Sequence, residues 1–331
     1  NLDLRVVSEE SYGSALQHFT GSKDHNIALR KIAINKGLKV SEYGVFRGKE
    51  RLVGKSEEDV YQILGMDFIP VELREDRGEI ELAQKKQLPK LIGYDEIRGD
   101  LHCHSSWAGG VHTIRQLALK AKELGYSYIG ISDHTKYLTI EKGLNEKELV
   151  EQRKEIDKIN REFKDFKILQ GCEANILKDG SLDIDDKTLK TLDYVIAGIH
   201  SHFKMSRDEM TDRMIRAIEN PLVDIISHPT GRILGRREEY ELDIDKIIDV
   251  AVETDTILEI NGSPYRLDLN EINIKKAVDR GAKLIINSDA HDRDELELIK
   301  LGISQARRGW ALKEDIVNSR EVTEVLNFAK I

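Results

Sequence analysis

The sequence predicts an α/β chain: a (β/α) barrel one strand short of eight over residues 98–331, preceded by a small α+β domain. Three observations predict it. After Arg98, short apolar runs alternate with helical stretches seven times over about 230 residues, the pattern of parallel strands covered by helices. Metal-type side chains keep recurring at the C-terminal ends of those runs, where a barrel collects its functional groups. Residues 1–90 lack the alternation and carry 15 basic and 15 acidic residues, so the whole net charge of −9 falls on the remainder.

Residues 1–7 alternate as a strand, Leu2, Leu4 and Val6 against Asp3, Arg5 and Val7. A helix is predicted over residues 24–36 and ended by Gly37. Short strands follow at 38–42 and 45–47. Ser56-Glu57-Glu58-Asp59 reads as a helix start, with acidic side chains at the positive end. The stretch Gln84-Lys85-Lys86-Gln87-Leu88-Pro89-Lys90 is polar, basic and contains Pro, so domains at 1–83 and 98–331 are expected with a linker at 84–97. Helices are predicted at 113–124, 146–163, 207–219, 244–253, 272–280 and 294–301.

The strand ends carry the chemistry. Asp100-Leu101-His102-Cys103-His104 places two imidazoles at spacing two, hence on one face if extended. Further runs end Ser132-Asp133-His134, Gly171-Cys172-Glu173, Gly198-Ile199-His200, Ser227-His228 and Ser288-Asp289-Ala290-His291. The candidate ligands are therefore His102, His104, His134, Glu173, His200, His228, Asp289 and His291. Eight is too many for one ion, which takes four to six donors with some from water. Two or three divalent ions are expected, with carboxylates bridging. Ions about 3.5–4 Å apart suit phosphate ester cleavage, since they activate water and hold phosphoryl oxygens. Imidazole-rich donors accept zinc, manganese or iron.

Around that set stand further candidates. His202 shares the face of His200 and is expected to support a ligand or to contact phosphate or DNA, and Asp133 is placed to orient a ligand or to finish its strand. Arg232, Arg236 and Arg237 follow His228 in a glycine-punctuated loop, and with Lys204 and Arg266 they are candidates for phosphate or DNA contact. Trp107 is placed either to stack on a nucleobase or to plug the barrel end. Cys103 and Cys172 give no disulfide framework and read as buried small apolar residues. A reducing cytoplasm suits them. No apolar run approaches the ~20 residues of a membrane span, and the start lacks a signal-peptide layout. It also lacks an initiator Met, so the chain is expected to begin partway through a longer protein. The negative net charge argues against a surface that coats phosphates wholesale.

Two resemblances follow. Asp3-Leu4-Arg5, Phe19-Thr20-Gly21-Ser22 with Asn26 and Arg30, and the segment from Ile69-Pro70 to Glu75 resemble the palm end and thumb of family X DNA polymerases, the DNA polymerase beta family. The resemblance implies that Asp3 is one of three palm carboxylates holding magnesium. It places Phe19, Gly21 and Ser22 beside an incoming dNTP, and Asn26 and Arg30 against the nascent base pair. His18 stands where the family has Tyr, and Val71 where it has Pro. With one carboxylate of three, this chain is not expected to polymerise by itself.

Residues 98–331 resemble the PHP (polymerase and histidinol phosphatase) domain appended to bacterial and archaeal family X polymerases. The matching motifs are Asp100–Ser105, Ser132-Asp133-His134-Thr135, Gly171-Cys172-Glu173, His200-Ser201-His202-Phe203, Ser227–Arg232 and Ser288–His291. By that resemblance His102, His104, Glu173 and Asp289 hold a first ion and act through its activated water. Glu173 bridges to a second ion completed by His200 and His228, and His134 and His291 hold a third with a residue of the first loop.

That loop departs from the family. It reads Ser106-Trp107-Ala108-Gly109-Gly110-Val111-His112, without the Asp that usually precedes its closing Gly. His112 as a substitute ligand, water, or a weakened third site are the alternatives. An Asp restored at 108 is expected to serve better than one at 109.

The function implied is 3′-5′ exonuclease or 3′-end processing of gapped or 3′-recessed DNA, by a nucleoid-associated cytoplasmic monomer with no membrane partner. A histidinol-phosphate-type phosphatase and a metal-bound structural module are the alternatives.

Overall fold

Residues 2–328 are described in a computed structural model, and they fall into two units that divide between Lys90 and Leu91. In the first, helices α1 (Tyr12–Thr20), α2 (Lys23–Asn35), α3 (Glu57–Ile63) and α4 (Glu79–Lys85) accompany an antiparallel sheet. Its strands are β1 (Lys39–Ser41), β2 (Gly44–Arg47) and β3 (Glu50–Val53), in that order. Ser22 and Ser56 cap α2 and α3 by accepting from the amides of His25 and Asp59. The strand β3 is missing from the sequence reading because Glu50-Arg51 shows no apolar alternation. Conversely, residues 2–7 form no strand, and Leu2, Leu4 and Val6 are exposed. Alternation permits a strand, but only a paired neighbour makes one.

Arg74 is buried in this unit and is held through its Nε and Nη1. Its Nε donates to the Ile69 carbonyl at 3.0 Å, and its Nη1 donates to Thr20 Oγ1 at 2.6 Å and to Glu57 Oε1. It thus ties the 69–75 segment to the turn after α1. His25 is buried beside it, between Glu79 Oε1 at 2.6 Å and the Tyr61 hydroxyl at 3.0 Å.

The second unit is the barrel. A parallel sheet β4 (Gly99–Asp100), β5 (Tyr128–Ile131), β6 (Lys167–Gln170) stands beside a parallel sheet β7 (Glu173–Asn175), β8 (Ile196–Gly198), β9 (Ile225–Ile226), β10 (Ile257–Asn261), β11 (Leu284–Asn287). β6 and β7 belong to one chain run broken at Gly171-Cys172, so seven runs make the wall. Parallel bridges His134↔Glu173 and Cys103↔Ala290 join the two sheets at both seams. The α/β barrel class expected from the alternation is the class observed.

Helices α5 (Ile114–Glu123), α6 (Glu146–Asn160), α8 (Arg207–Ile218), α9 (Ile244–Glu253) and α10 (Glu271–Asp279) lie where periodicity predicts them. After β7 there is only the single turn α7 (Asp186–Leu189). The helix expected at 294–301 is a 3-10 segment, Arg293–Leu298, that passes into α11 (Ile299–Arg308). A short α12 (Val322–Leu326) follows. Residues 84–97 are not a single loose connector. Residues 84–85 finish α4, while Ile92 and Ile97 are buried in the core of the second unit.

Inside the barrel the residues are layered. Leu101, Leu169, Tyr194, Ile196, Ile225, Ile257 and Ile285 form an apolar plug towards the N-terminal ends of the strands. Outward-facing Ile129, Ile131 and Ile168 pack under α5 and α6, and Leu258, Ile260, Leu284 and Ile286 pack under α8 to α11. The candidate ligands are thereby left at the C-terminal mouth.

One buried carboxyl near that mouth has a consequence for stability. Asp268 accepts from the amides of Thr230 at 3.0 Å and Gly231 at 2.8 Å. Burial nevertheless pushes it up to about 7, against the hydrogen bond from Thr230 and the nearby Arg232 and Arg266. The folded chain keeps this proton to near neutrality, whereas the unfolded chain sheds it near pH 4, so its contribution to stability is lost as pH rises to 7. Asp268→Asn retains an acceptor but has no charge to bury. Relative to the parent it is expected to gain on the order of 1–3 kcal/mol between pH 5 and pH 8. Urea midpoints at the two pH values measure this, and a constant difference refutes it.

Candidate metal centre

All eight predicted ligands meet at the barrel mouth, although regular strand alternation is not what unites them. β4 stops at Asp100, and the next residues follow an irregular path held by the Asp100 carboxylate, which accepts from the amides of His102 (3.0 Å) and Ser288 (3.1 Å). His102 and His104 nevertheless face the same site, with ring centroids 5.1 Å apart.

Glu173 is the hub. Its Oε1 lies 2.9 Å from His228 Nε2 and 3.2 Å from His200 Nε2, and its Oε2 lies 2.9 Å from His134 Nδ1 and 3.4 Å from His102 Nε2. Asp289 Oδ1 lies 3.4 Å from His102 Nε2 and 3.3 Å from His104 Nε2. The ring of His104 packs against those of His134 and His291, at 4.3 and 4.2 Å, and those two rings are 5.8 Å from each other. Gly198 makes room for this arrangement, because a Cβ there would stand 2.4 Å from Ser227 Oγ and 2.9 Å from Glu173 Oε1.

The donor set fits cations. Among the described residues, His102 Nε2, both ring nitrogens of His104, His134 Nδ1, Glu173 Oε2 and His200 Nε2 are buried without a hydrogen-bond partner. His134 Nδ1 is close to Glu173 Oε2 but out of line for a hydrogen bond. Orphaned buried donors and acceptors are costly, and a metal ion satisfies several at once. Three groupings have ligand atoms within 4.8 Å of one another: His104/His134/His291, His102/His104/Asp289 and His134/Glu173/His200. They share members, as a multinuclear site does.

The electrostatics agree. Burial works to raise Glu173, but the imidazoles of His200, His102 and His134 outweigh it and hold the carboxyl well below its usual range. Asp289 is likewise held well down against burial, by His102, His104 and Arg266. Burial disfavours a charged His102, yet Glu259, Asp289 and Glu173 together push its pKa well above the usual imidazole range. Burial, with His291 and His134 nearby, pushes His104 well down and keeps it a neutral donor. Burial and Arg266 lower His228 to about 4.

Supporting residues escaped the sequence reading. Glu259 accepts from His102 Nδ1 at 2.6 Å, from the His228 amide at 2.7 Å and from the side chains of Asn261 and Asn287. This orients His102 as carboxylates orient metal-bound imidazoles elsewhere. A carboxylate inside the apolar run Ile257-Leu258-Glu259-Ile260 was the available signal. Asn175 faces His200 Nδ1 at 2.9 Å. Asp133 is an orienting group for the loop rather than for a ring: it accepts from Ser105 N and Oγ and from Gln152 Nε2.

Other expectations need correction. His112 does not substitute for the loop carboxylate. Its Nδ1 accepts from the Arg293 amide at 3.4 Å and stands 3.7 Å from Asp292 Oδ2, because the loop ties back to the turn after His291. Position 108 is also the wrong one, since Ala108 is 2 % exposed in an apolar cluster with Leu144 and Leu149. A Cβ at Gly109 would instead lie 3.2 Å from His134 Cδ2 and 3.6 Å from His291 Nε2. Trp107 is tied to α6 through Glu155, at 2.8 Å. Cys103 and Cys172, by contrast, are buried free thiols in apolar clusters, as expected.

Among the arginines the roles divide. Arg232 is spent on its own fold, donating to the carbonyls of Arg266 (2.8 Å) and Leu267. Arg237 donates to the Gly231 carbonyl and lies 4.0 Å over the Phe203 ring. Arg236, His202 and Lys204 are exposed. A cavity of about 660 Å³ is lined by Lys178, Lys204 and Arg237, but equally by Glu209, Glu238 and Glu239, so it is no strongly positive track. Arg266 differs. It is largely buried, with Nε 3.3 Å from Asp289 Oδ2 and with Nη1 buried and unpartnered.

In the first unit Asp3 and Phe19 are exposed. Gly21 ends α1, and Ser22 caps α2. Asn26 is not free to face a base pair: its amide donates to the carbonyls of His18 (2.9 Å) and Gly21 (3.1 Å) and its oxygen accepts from Gln17 (2.9 Å). It braces the turn instead. Arg30 donates to His18 Nδ1 at 3.3 Å.

Comparison with known proteins agrees with this division. The DNA polymerase beta thumb family matches residues 15–75, and the PHP domain family matches residues 100–263. A probable phosphatase of Thermoanaerobacter sp. is 30% identical over 246 residues, covering 70% of this chain and 94% of its own length. The chain belongs to the PHP family. The DNA polymerase/3′-5′ exonuclease PolX of Bacillus subtilis is 44% identical over 332 residues, covering all of this chain. The chain spans 58% of that relative's length. Histidinol phosphate phosphatase from Lactococcus lactis shares 17% identity at a TM-score of 0.47, over 63% of this chain and 93% of its own. The PHP barrel here therefore comes with a polymerase-type thumb in the same chain. Among the described residues, no helix is long and apolar enough to cross a membrane.

Proposed function

We propose that the PHP barrel hydrolyses phosphodiesters at DNA 3′ ends, using two or three divalent ions held by the eight converging ligands. The observation that carries this reading is Glu173, buried at contact distance from four imidazoles whose ligating nitrogens largely lack other partners. Zinc, manganese or iron suit those donors, and bound ions would supply an activated water and charge neutralisation at the phosphoryl group. Arg266 would hold a phosphoryl oxygen with the face that carries its unpartnered Nη1. DNA as substrate is supported by the thumb match and by the full-length similarity to a polymerase/exonuclease. A small-molecule phosphatase is the second reading, favoured by the phosphatase-named relative of nearly barrel length.

The polymerase functions, magnesium at Asp3 and a dNTP beside Phe19, Gly21 and Ser22, belong in this reading to a longer polymerase of the PolX type. A DNA-directed role fits a cytoplasmic, nucleoid-associated monomer acting on gapped or 3′-recessed ends.

The test is metal-dependent release from a 3′-labelled recessed duplex, beside a chromogenic monoester. Hydrolysis of the monoester alone selects the phosphatase reading, and hydrolysis of neither removes both. Arg266→Ala is expected to lower kcat/KM on the duplex by about 10²–10³-fold while metal content stays the same, because an oriented donor to developing charge is worth that much. Unchanged kcat/KM excludes Arg266 from the reaction.

A further inference from the structure

We propose that Asp183, which makes no hydrogen bond to any of the eight ligand side chains, sets the tautomer of His200 through Asn175. It thereby decides which ring nitrogen His200 offers to a cation. The inference rests on the metal-centre reading above.

Asp183 is 8 % exposed and Asn175 is 1 % exposed. The Asp183 carboxylate receives four donors: Tyr137 N at 2.9 Å, Asn175 N at 2.9 Å, Thr135 Oγ1 at 2.7 Å and Asn175 Nδ2 at 2.8 Å. An ionised carboxylate only accepts, so the Asn175 amide must turn its NH₂ end towards it. The second proton of that NH₂ goes to Thr135 Oγ1 at 3.0 Å. This leaves Asn175 Oδ1 as the end facing His200 Nδ1, at 2.9 Å. An amide oxygen accepts only, so His200 carries its proton on Nδ1 and keeps the Nε2 lone pair. Nε2 is the atom that lies buried and unpartnered 3.2 Å from Glu173 Oε1. Turning the amide over would set two oxygens 2.8 Å apart in a buried place and aim a donor at Nδ1.

Asp183 is therefore a positioning residue. Through Thr135 it also steadies the chain immediately after His134. An asparagine at 183 does not do the same work, because one of its two ends would confront donors.

The experiment uses the full chain with ¹⁵N-labelled histidine, first metal-free. Ring-nitrogen NMR reads the tautomer of His200, assigned by the signal lost in His200→Asn. Manganese alone is then titrated into the same proteins. The parent is expected to show a single Nδ1–H tautomer at His200. Asp183→Asn should mix the tautomers and weaken manganese binding by about 10–100-fold, the usual effect of removing a partner behind a metal ligand. The exchange Asn175→Asp with Asp183→Asn restores an acceptor at 175 and a donor at 183, and should return the single tautomer.

That exchange leaves the Tyr137 amide facing an NH₂ group, so a role for Asp183 confined to fastening Tyr137 predicts no recovery. Should Asp183→Asn not fold, Asn175→Ala provides the same test, with loss of the single tautomer expected. Folded variants with the parent's tautomer and manganese affinity overturn the proposal. A parent that binds no manganese defeats the metal reading instead, and the metal-free tautomer still decides the relay.

Discussion

Glu173→Gln is expected to abolish hydrolysis, by about 10³-fold or more, and to remove at least one bound ion per chain. The substitution keeps the shape of a side chain that has little room beside Gly198, so a packing defect is not the expected cause. It removes the one charge that His134, His200, His228 and His102 share. Ions held by these residues would lose the carboxylate they share, and groups that act as a unit fail together rather than additively. Metal analysis by mass spectrometry and single-turnover rates are the measurements. A Gln variant with the parent's metal content and rate contradicts the assignment of Glu173 as the hub.

Gly109→Asp is expected to work in the opposite direction. Its Cβ would point between His134 and His291, 3.2 Å from His134 Cδ2 and 3.6 Å from His291 Nε2. A negative oxygen added there should tighten the ion held by these two imidazoles by at least about tenfold, since ligand charge count governs such affinities. The backbone opposes the change. Gly109 has φ +87°, a conformation that Asp tolerates better than most residues but still at a cost of about 1 kcal/mol. The net result should be more metal bound at low concentration with a slightly lower melting temperature. Ala108→Asp is the contrast, because it buries a charge in an apolar cluster and should destabilise without gaining an ion. Both variants are compared by manganese titration and thermal melting. Equal metal affinity in the parent and a folded Gly109→Asp shows that the gap between His134 and His291 binds nothing.

The convergence of the eight candidate side chains was legible because their chemistry is local. An apolar run that ends in His, Glu or Asp announces both a buried strand and a group that does not belong in a core, and six such runs can converge only at one end of a barrel. What lay around the ligands was less legible. Glu259 sits mid-strand, and its service to His102 depends on a neighbour 157 residues away. Arg232 and Arg266 look alike in sequence, but one guanidinium is consumed by backbone carbonyls and the other is left facing Asp289. The loop at 105–112 showed the same division: the missing carboxylate was visible, but not which position faced the gap.

Composition and periodicity alone were enough for the barrel class, the end at which its site lies and the residue types that fill it, because burial and strand period act on each segment separately. Which nitrogen of each imidazole is free, which arginine faces the cluster and which loop atom points between His134 and His291 were decided by packing. Those properties belong to pairs of residues brought together from distant segments. A hydrogen-bond partner such as Asp183, with no apolar pattern of its own, becomes recognisable only when the fold has placed it behind Asn175.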